Sequence, residues 1–479
     1  MKTIGIYVAI DLSGITLIKS IIAIIVQTAS NNMGEKNRKE KWELSFITYK
    51  SLNPLIRKIK VQTLFLLVAF TTHAQTEKDA IKTNINILTS EAMHGRGYVR
   101  QGVEQASIFI QRRFREYKLK AVTADGAFIQ GYTFPVNTFP GKMSLSINGR
   151  ELTPGADFLI DASSVSYSGT DNSVKTIDLA TITSKGAWRK TLASFKADHI
   201  YCLENVDSFC KVFDERPSKF GALLPRGCYI IPQKSKLTWT VQRDTIDATV
   251  FYVKKDVLPA AINNAGVSVE SRFIPKQRSE NVMACVPGTV KDTFIAITAH
   301  YDHLGMMGET AMFPGASDNA SGVAMLIYLS SYFAAHPPHY SVLFIAFSGE
   351  EVGLMGSAFY VAHPVVPLGQ IKFLTNIDIM GDATDGVTVV NATEYPDAFA
   401  LLNRENDANH YIPIIKSRGK AANSDHYHFS EVGVPSFFLY SNGGKGFYHD
   451  VFDKGEEVTL NNVDGVAKLL INFITDINW

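Results

Sequence analysis

Imidazoles and carboxylates recur in five short stretches of this 479-residue chain. They are Ala299-His300-Tyr301-Asp302-His303, the Asp318 of "GASDNASG", Ser348-Gly349-Glu350-Glu351, Asp378-Ile379-Met380-Gly381-Asp382 and Tyr448-His449-Asp450. Three of them follow apolar runs, "FIAIT", "VLFIAF" and "FLTNI". A run of that kind reads as a strand buried on both faces, and its end is a poor place for the adjacent charges of Glu350 and Glu351 unless something compensates them. Two imidazoles and three or more carboxylates gathered at one point would repel and desolvate one another without a cation. A pair of divalent ions supplies the missing charge; in co-catalytic sites the two lie about 3.5 to 4 Å apart and share a bridging carboxylate and a water. Mixed His and carboxylate donors suit Zn²⁺, with Mn²⁺ or Co²⁺ as substitutes.

Bringing such residues together requires a sheet whose strand ends converge. From residue 276 to 479 the pattern is apolar strand, polar loop and helix in alternation, the signature of an α/β domain with a mostly parallel central sheet flanked by helices. Strands are predicted at "NVMACVPG", "TFIAITAH", "SVLFIAFS", "KFLTNIDI" and "PSFFLYS". Helices are predicted at "SGVAMLIYLSSYFAAH", "LMGSAFYVAH" and "VDGVAKLLINFITDI", the first two stopped by proline. Open sheets of this type hold ligands at the carboxyl ends of their strands, which is where the acids and histidines stand. Residues 76–134 supply a first part of the same domain. In it "GVEQASIFIQRRFREY" places Val103, Ala106, Ile110, Phe114 and Tyr117 on one helical face. Residues 135–275 change texture to short β-like pieces, with a hairpin signal at Asn148-Gly149, and read as an inserted β-rich domain resembling a protease-associated domain by position alone.

Taken in order, "TAHYDHLG", "GASDNASG", "SGEEVGLMGS", "NIDIMG" and "YHDVFD" resemble the motifs of the co-catalytic dizinc aminopeptidases, the aminopeptidase Y and secreted bacterial leucyl aminopeptidase type. The resemblance is strong over 281–453 and looser over the 102–117 helix and the preceding "LTSEAMHGRG". It implies a zinc exopeptidase fold and two Zn²⁺ per chain. Asp318 would bridge them, His300 and Asp378 would complete one metal, and Glu351 and His449 the other. Glu350 would be the general base taking a proton from a water between the metals, and Tyr448 would donate a hydrogen bond to the developing oxyanion. Asp302, two residues on from His300, should point the same way if the strand continues, and would then hold that imidazole by a hydrogen bond. The implied activity is removal of N-terminal residues from peptides. Carboxypeptidase and glutaminyl cyclase relatives share the fold and remain alternatives, as does a non-catalytic receptor-like relative, which is expected to lose ligands that are all present here. Asp425 and His426 of "SDHYHFSEVGVP" either line the substrate side or brace a loop, and His303 and His428 read as surface or supporting residues.

The formal net charge of +1 speaks against nucleic acid or an anionic membrane as the main partner. Peptides are the expected partners, with no stable membrane partner for the mature protein. Residues 57–75, containing "RKIKVQTLFLLVAFTTHAQ", read as a secretory signal, so a periplasmic or secreted protein is expected; residues 1–56 form a doubtful extension before it. Four cysteines are too few for a disulfide scaffold, although Cys202 and Cys210 could pair in an oxidising compartment.

Overall fold

The computed structural model describes residues 76–477. The signal and extension expected before residue 76 lie outside the described residues. Among the described residues no helix is long and apolar enough to cross a membrane.

The centre is an eight-stranded sheet. Its strands are β1 (Ile129–Thr138), β2 (Arg272–Val286), β3 (Val290–His300), β4 (Tyr340–Phe347), β5 (Ile371–Asp378), β6 (Val387–Val390), β7 (Ile415–Ser417) and β8 (Ser436–Ser441), in the spatial order β1-β2-β4-β3-β5-β8-β6-β7. The four inner strands β4, β3, β5 and β8 run parallel, and antiparallel pairings lie toward both edges. β4 is buried at every position after its first, which explains its unbroken apolar sequence. Leaving β3, the chain crosses to β4 on one side and then returns to β5 on the other. The carboxyl end of β3 is therefore a topological switch point, the place where crossover connections part and leave a crevice. His300 is the last residue of β3.

Helices cover the sheet. Helix α1 (Glu77–Leu88) is capped by Thr76, whose hydroxyl accepts from Asp79 N at 3.1 Å, and it buries Ile81, Ile85 and Leu88 on one face. In α2 (Gly102–Glu116) the predicted face is the buried one: Val103, Ala106, Ile110 and Phe114 are all within 1% of full burial. Helix α3 (Ser321–Ala335) links β3 to β4 and ends before Pro337, while α4 (Met355–Ala362) links β4 to β5. The terminal α5 (Val463–Asp476) follows the apolar stripe read from sequence.

Between β1 and β2, which are hydrogen-bonded neighbours, the chain leaves the main sheet and builds two others. One is four-stranded and antiparallel, and it contains the Asn148-Gly149 hairpin; both turn residues have positive φ, 49° and 79°, as a two-residue hairpin requires. The second has five strands, four of them parallel, with helices at Lys185–Ser194 and Val206–Phe213. β1 and β2 run continuously across positions 134 and 275, joining this inserted segment to the sheet. Cys202 and Cys210 are both buried and free. They belong to different apolar clusters, on the strand Ile200–Glu204 and on the helix Val206–Phe213, so the pairing considered from their spacing does not form.

Candidate metal centre

The parallel register of β3 and β5 fixes the first half of the site. Thr298 is paired with Asn376, and its hydroxyl donates to Asn376 Oδ1 at 2.7 Å. Two residues beyond that pair each strand ends on the same face, β3 at His300 and β5 at Asp378, and His300 Nε2 stands 3.2 Å from Asp378 Oδ2. Asp318 comes from the turn leading into α3. Its Oδ1 is 3.3 Å from His300 Nε2, and its Oδ2 is 3.1 Å from His449 Nε2. The same His449 nitrogen is 3.1 Å from Glu351 Oε2. Four of the expected ligands thus surround Asp318, each of whose oxygens faces a different imidazole.

These distances are those a shared ion would impose, since two ligands about 2.0 Å from a tetrahedral zinc lie about 3.3 Å apart. The tautomers point the same way. His300 Nδ1 faces the backbone carbonyl of Asp302 at 3.2 Å and His449 Nδ1 faces that of Trp239 at 2.8 Å. A carbonyl only accepts, so each Nδ1 is the protonated nitrogen and each Nε2 turns toward carboxylates. His449 Nε2 has no hydrogen-bond partner despite its burial. A lone pair aimed at carboxylates is unfavourable, so positive charge must sit between them, either as a proton on each ring or as a metal. The residues fit a pair of metal ions.

The ionisation pattern expresses the same demand. Burial opposes charge on His449, but Glu351 and Asp318 carry its pKa up to about 11. His300 is likewise raised well above the usual histidine range by Asp378, Glu350 and Asp318, against the effect of burial. Burial pushes Glu351 upward, yet His449 and His303 win and hold it at about 2. Asp318 also ends well below the carboxylate range, because its two imidazole partners overcome burial. Glu350 goes the other way. Burial first, then Glu351, Asp425 and Asp378, raise it well above an ordinary glutamate.

Asp302 does not play the part expected from its spacing. Its Oδ1 is 3.9 Å from His300 Nδ1, too far for a hydrogen bond, and the imidazole is bonded to the Asp302 backbone carbonyl instead. β3 ends at His300, so the alternation of side chains that would have aligned residues 300 and 302 stops there. The Asp302 carboxylate accepts from Glu350 N at 3.2 Å, Glu351 N at 3.3 Å and the Tyr98 hydroxyl at 2.8 Å. It anchors the backbone of both glutamates. Tyr448 stacks on His449 with ring centroids 3.9 Å apart; partial burial and then Asp318, Glu351, Asp378 and Glu350 push its phenol up, keeping it a proton donor at neutral pH.

The structure also settles residues whose roles the sequence left open or passed over. His303 is not at the surface: it is fully buried, and its Nδ1 lies 2.7 Å from Glu351 Oε1, leaving Oε2 to face His449. His303, Asp318 and Glu351 form one group able to hold an ion, and His300, Asp318 and Asp378 another. Arg96 is fully buried without a carboxylate contact. Its guanidinium donates to the carbonyls of Tyr301 (2.9 Å), Leu88 (3.0 Å), Pro314 (2.7 Å), Gly315 (2.7 Å) and, more weakly, Asp318 (3.4 Å), which fixes the turn carrying Asp318. Gly315 in that turn has φ of 58°, and a Cβ there would lie 2.3 Å from the His303 ring. Asp453 accepts from Ser317 N at 2.9 Å and Asp318 N at 3.2 Å, tying the "YHDVFD" segment to the same turn. Asp425 is buried, bonded to the Ser357 hydroxyl at 2.5 Å, and raised to about 7, chiefly by burial. His426 is buried as well and is lowered to about 4 by the same cause. The surviving signal for Arg96 is "LTSEAMHGRG"; for His303 the supporting of the two roles read from the sequence is the one observed.

A mostly parallel sheet flanked by helices, with two groups of residues able to hold a metal ion at its switch point, defines the class: an α/β protein with a candidate metal site at its strand ends. Residues 281–474 match the family model of Peptidase family M28. Among curated proteins it resembles aminopeptidase YwaD of Bacillus subtilis, 25% identical over 246 residues, covering 49% of this chain and 52% of that protein. A probable zinc metalloprotease of Pyricularia oryzae is 35% identical over 119 residues, 24% of each chain. The chain thus spans about half the length of the first of these relatives. Two solved structures share the fold: BSAP, a zinc aminopeptidase from Bacillus subtilis (TM-score 0.59, 18% identity, 83% of this chain and 94% of that one), and a peptidase M28 precursor from Shewanella amazonensis (TM-score 0.60, 15% identity, 83% and 94%).

Proposed function

We propose that this protein is an exported dizinc aminopeptidase that hydrolyses the N-terminal residue of peptides. The observation that carries the reading is Asp318 facing two imidazoles with its two oxygens, His300 at 3.3 Å and His449 at 3.1 Å. That arrangement favours two ions over one. His300, Asp318 and Asp378 would hold one ion, and Asp318, Glu351 and His449 the other. When bound, the ions would supply Lewis acidity, polarising the scissile carbonyl and acidifying the attacking water.

The remaining chemistry belongs to the chain. Glu350, held at its backbone by Asp302 beside Glu351, would accept the water's proton and pass it to the leaving amine. Tyr448, neutral and beside His449, can donate its hydroxyl proton to the oxygen on which negative charge develops. Export rests on the signal read at residues 57–75, and N-terminal sequencing of the mature protein checks it. The activity is tested by zinc analysis together with aminoacyl anilides, N-terminally blocked peptides and N-terminal glutaminyl peptides. Two zinc ions per chain and hydrolysis restricted to free amino termini are expected. Cleavage of blocked peptides from the carboxyl end, or release of a cyclised glutaminyl product, would replace the reading by one of its relatives.

A further inference from the structure

The inserted segment contacts the loop carrying His449 through a short stretch, Lys236 to Trp239. Trp239 N donates to the backbone carbonyl of His449 at 3.2 Å, and the Trp239 carbonyl accepts from His449 Nδ1 at 2.8 Å. Trp239 is itself fixed: its indole nitrogen donates to Ile160 O at 2.8 Å, and its ring stacks on Phe313, centroids 4.7 Å apart, just before the turn that carries Asp318. Three residues earlier, Lys236 Nζ donates to Gly446 O at 2.7 Å and Tyr448 O at 2.8 Å, and lies 3.4 Å from Asp450 Oδ2. A single ammonium thus ties the backbone just before His449 to the Asp450 carboxylate just after it. His449 sits at φ of 55°, a left-handed conformation that a loop does not hold cheaply by itself.

Resting on the dimetal reading above, we propose that this stretch is the positioning element of His449, so that ion binding by the Glu351–His449 half of the centre depends on the inserted segment while binding by the His300–Asp378 half does not. The hydrogen bond to the Trp239 carbonyl selects the tautomer that leaves Nε2 as the ligand, and Lys236 keeps the loop where that bond can form. A partner that orients a metal-binding imidazole typically changes affinity by about 10- to 100-fold when lost. The inserted segment is thereby part of the metal site as well as a neighbour of the cleft.

The test is a zinc titration of the EDTA-stripped full chain by calorimetry, comparing wild type with Lys236→Ala, Lys236→Arg and Lys255→Ala. Lys236 is partly exposed, so its removal opens no core cavity; Lys255 pairs with Glu204 inside the inserted segment and serves as the control. Wild type is expected to bind two ions in resolvable steps. In Lys236→Ala one step should weaken about ten-fold with the other unchanged; Lys236→Arg should recover part of the loss, and Lys255→Ala should match wild type. Both steps unchanged in Lys236→Ala, or both weakened equally, overturns the proposal and leaves the dimetal reading standing. Fewer than two ions in wild type overturns both.

Discussion

The two halves of the candidate metal centre are built from different materials. His300 and Asp378 are the last residues of adjacent parallel strands in the middle of the main sheet. Their separation is set by the backbone ladder that also aligns Thr298 with Asn376. Glu351 and His449 lie in loops, and each is held by a contact from elsewhere: His303 on Glu351, the Trp239 carbonyl on His449, and the Asp302 carboxylate on the Glu351 amide. Asp318 joins the halves from a turn braced by Arg96 and Asp453. One half is thus rigid because the fold is rigid. The other is rigid only while its supports are present.

This contrast can be broken most severely at the shared residue. Asp318→Ala should reduce zinc content toward zero and abolish hydrolysis, because both halves lose a ligand; emission spectroscopy showing one ion retained would mean the halves are independent. Glu350→Gln strikes neither half. Zinc content should stay at the wild-type value while turnover on aminoacyl anilides falls roughly 10²- to 10⁴-fold, and near-normal turnover would remove Glu350 from its role as base.

Arg96→Met leaves buried carbonyls without their donor and frees the Asp318 turn. Urea unfolding of the zinc-free protein should show a loss of about 3 kcal/mol or more, and an unchanged midpoint would show that the turn holds itself. His303→Leu should act on one half alone, weakening one zinc-binding step about ten-fold through the loosened Glu351; equal weakening of both steps would contradict the division.

A further test of the loop-held half concerns pH. With its pKa raised to about 11, His449 carries a proton at neutral pH when no cation is present, and zinc must displace it. Zinc affinity should therefore rise with pH, about ten-fold per unit for each proton released, between about pH 6 and about pH 8. Calorimetry in buffers of different ionisation enthalpy counts those protons, and an affinity flat over that range would mean that the ring is already neutral.

Much of the rigid half could be read in the chain. Apolar runs located β3, β4 and β5 because strands buried on both faces carry no polar alternation, and the acids and histidines after them marked the strand ends. Asp302 shows where that reading stops. Period-two alternation holds only while the strand continues, and β3 ends at His300, so the carboxylate turned to the amides of Glu350 and Glu351. His303 and Arg96 were hidden for a related reason. A histidine or an arginine in a loop is usually exposed, and only the packing of Gly315 against His303 and the cluster of carbonyls around Arg96 made burial possible.

By itself the sequence determined the ligand types, their order and the apolar strands that carry them, because hydrophobic pattern and donor chemistry are local properties. Only the tertiary structure decided which nitrogen of each imidazole faces the carboxylates. That choice is made by acceptors such as the Trp239 carbonyl, 210 residues from His449, and a backbone carbonyl has no signature in the amino-acid code.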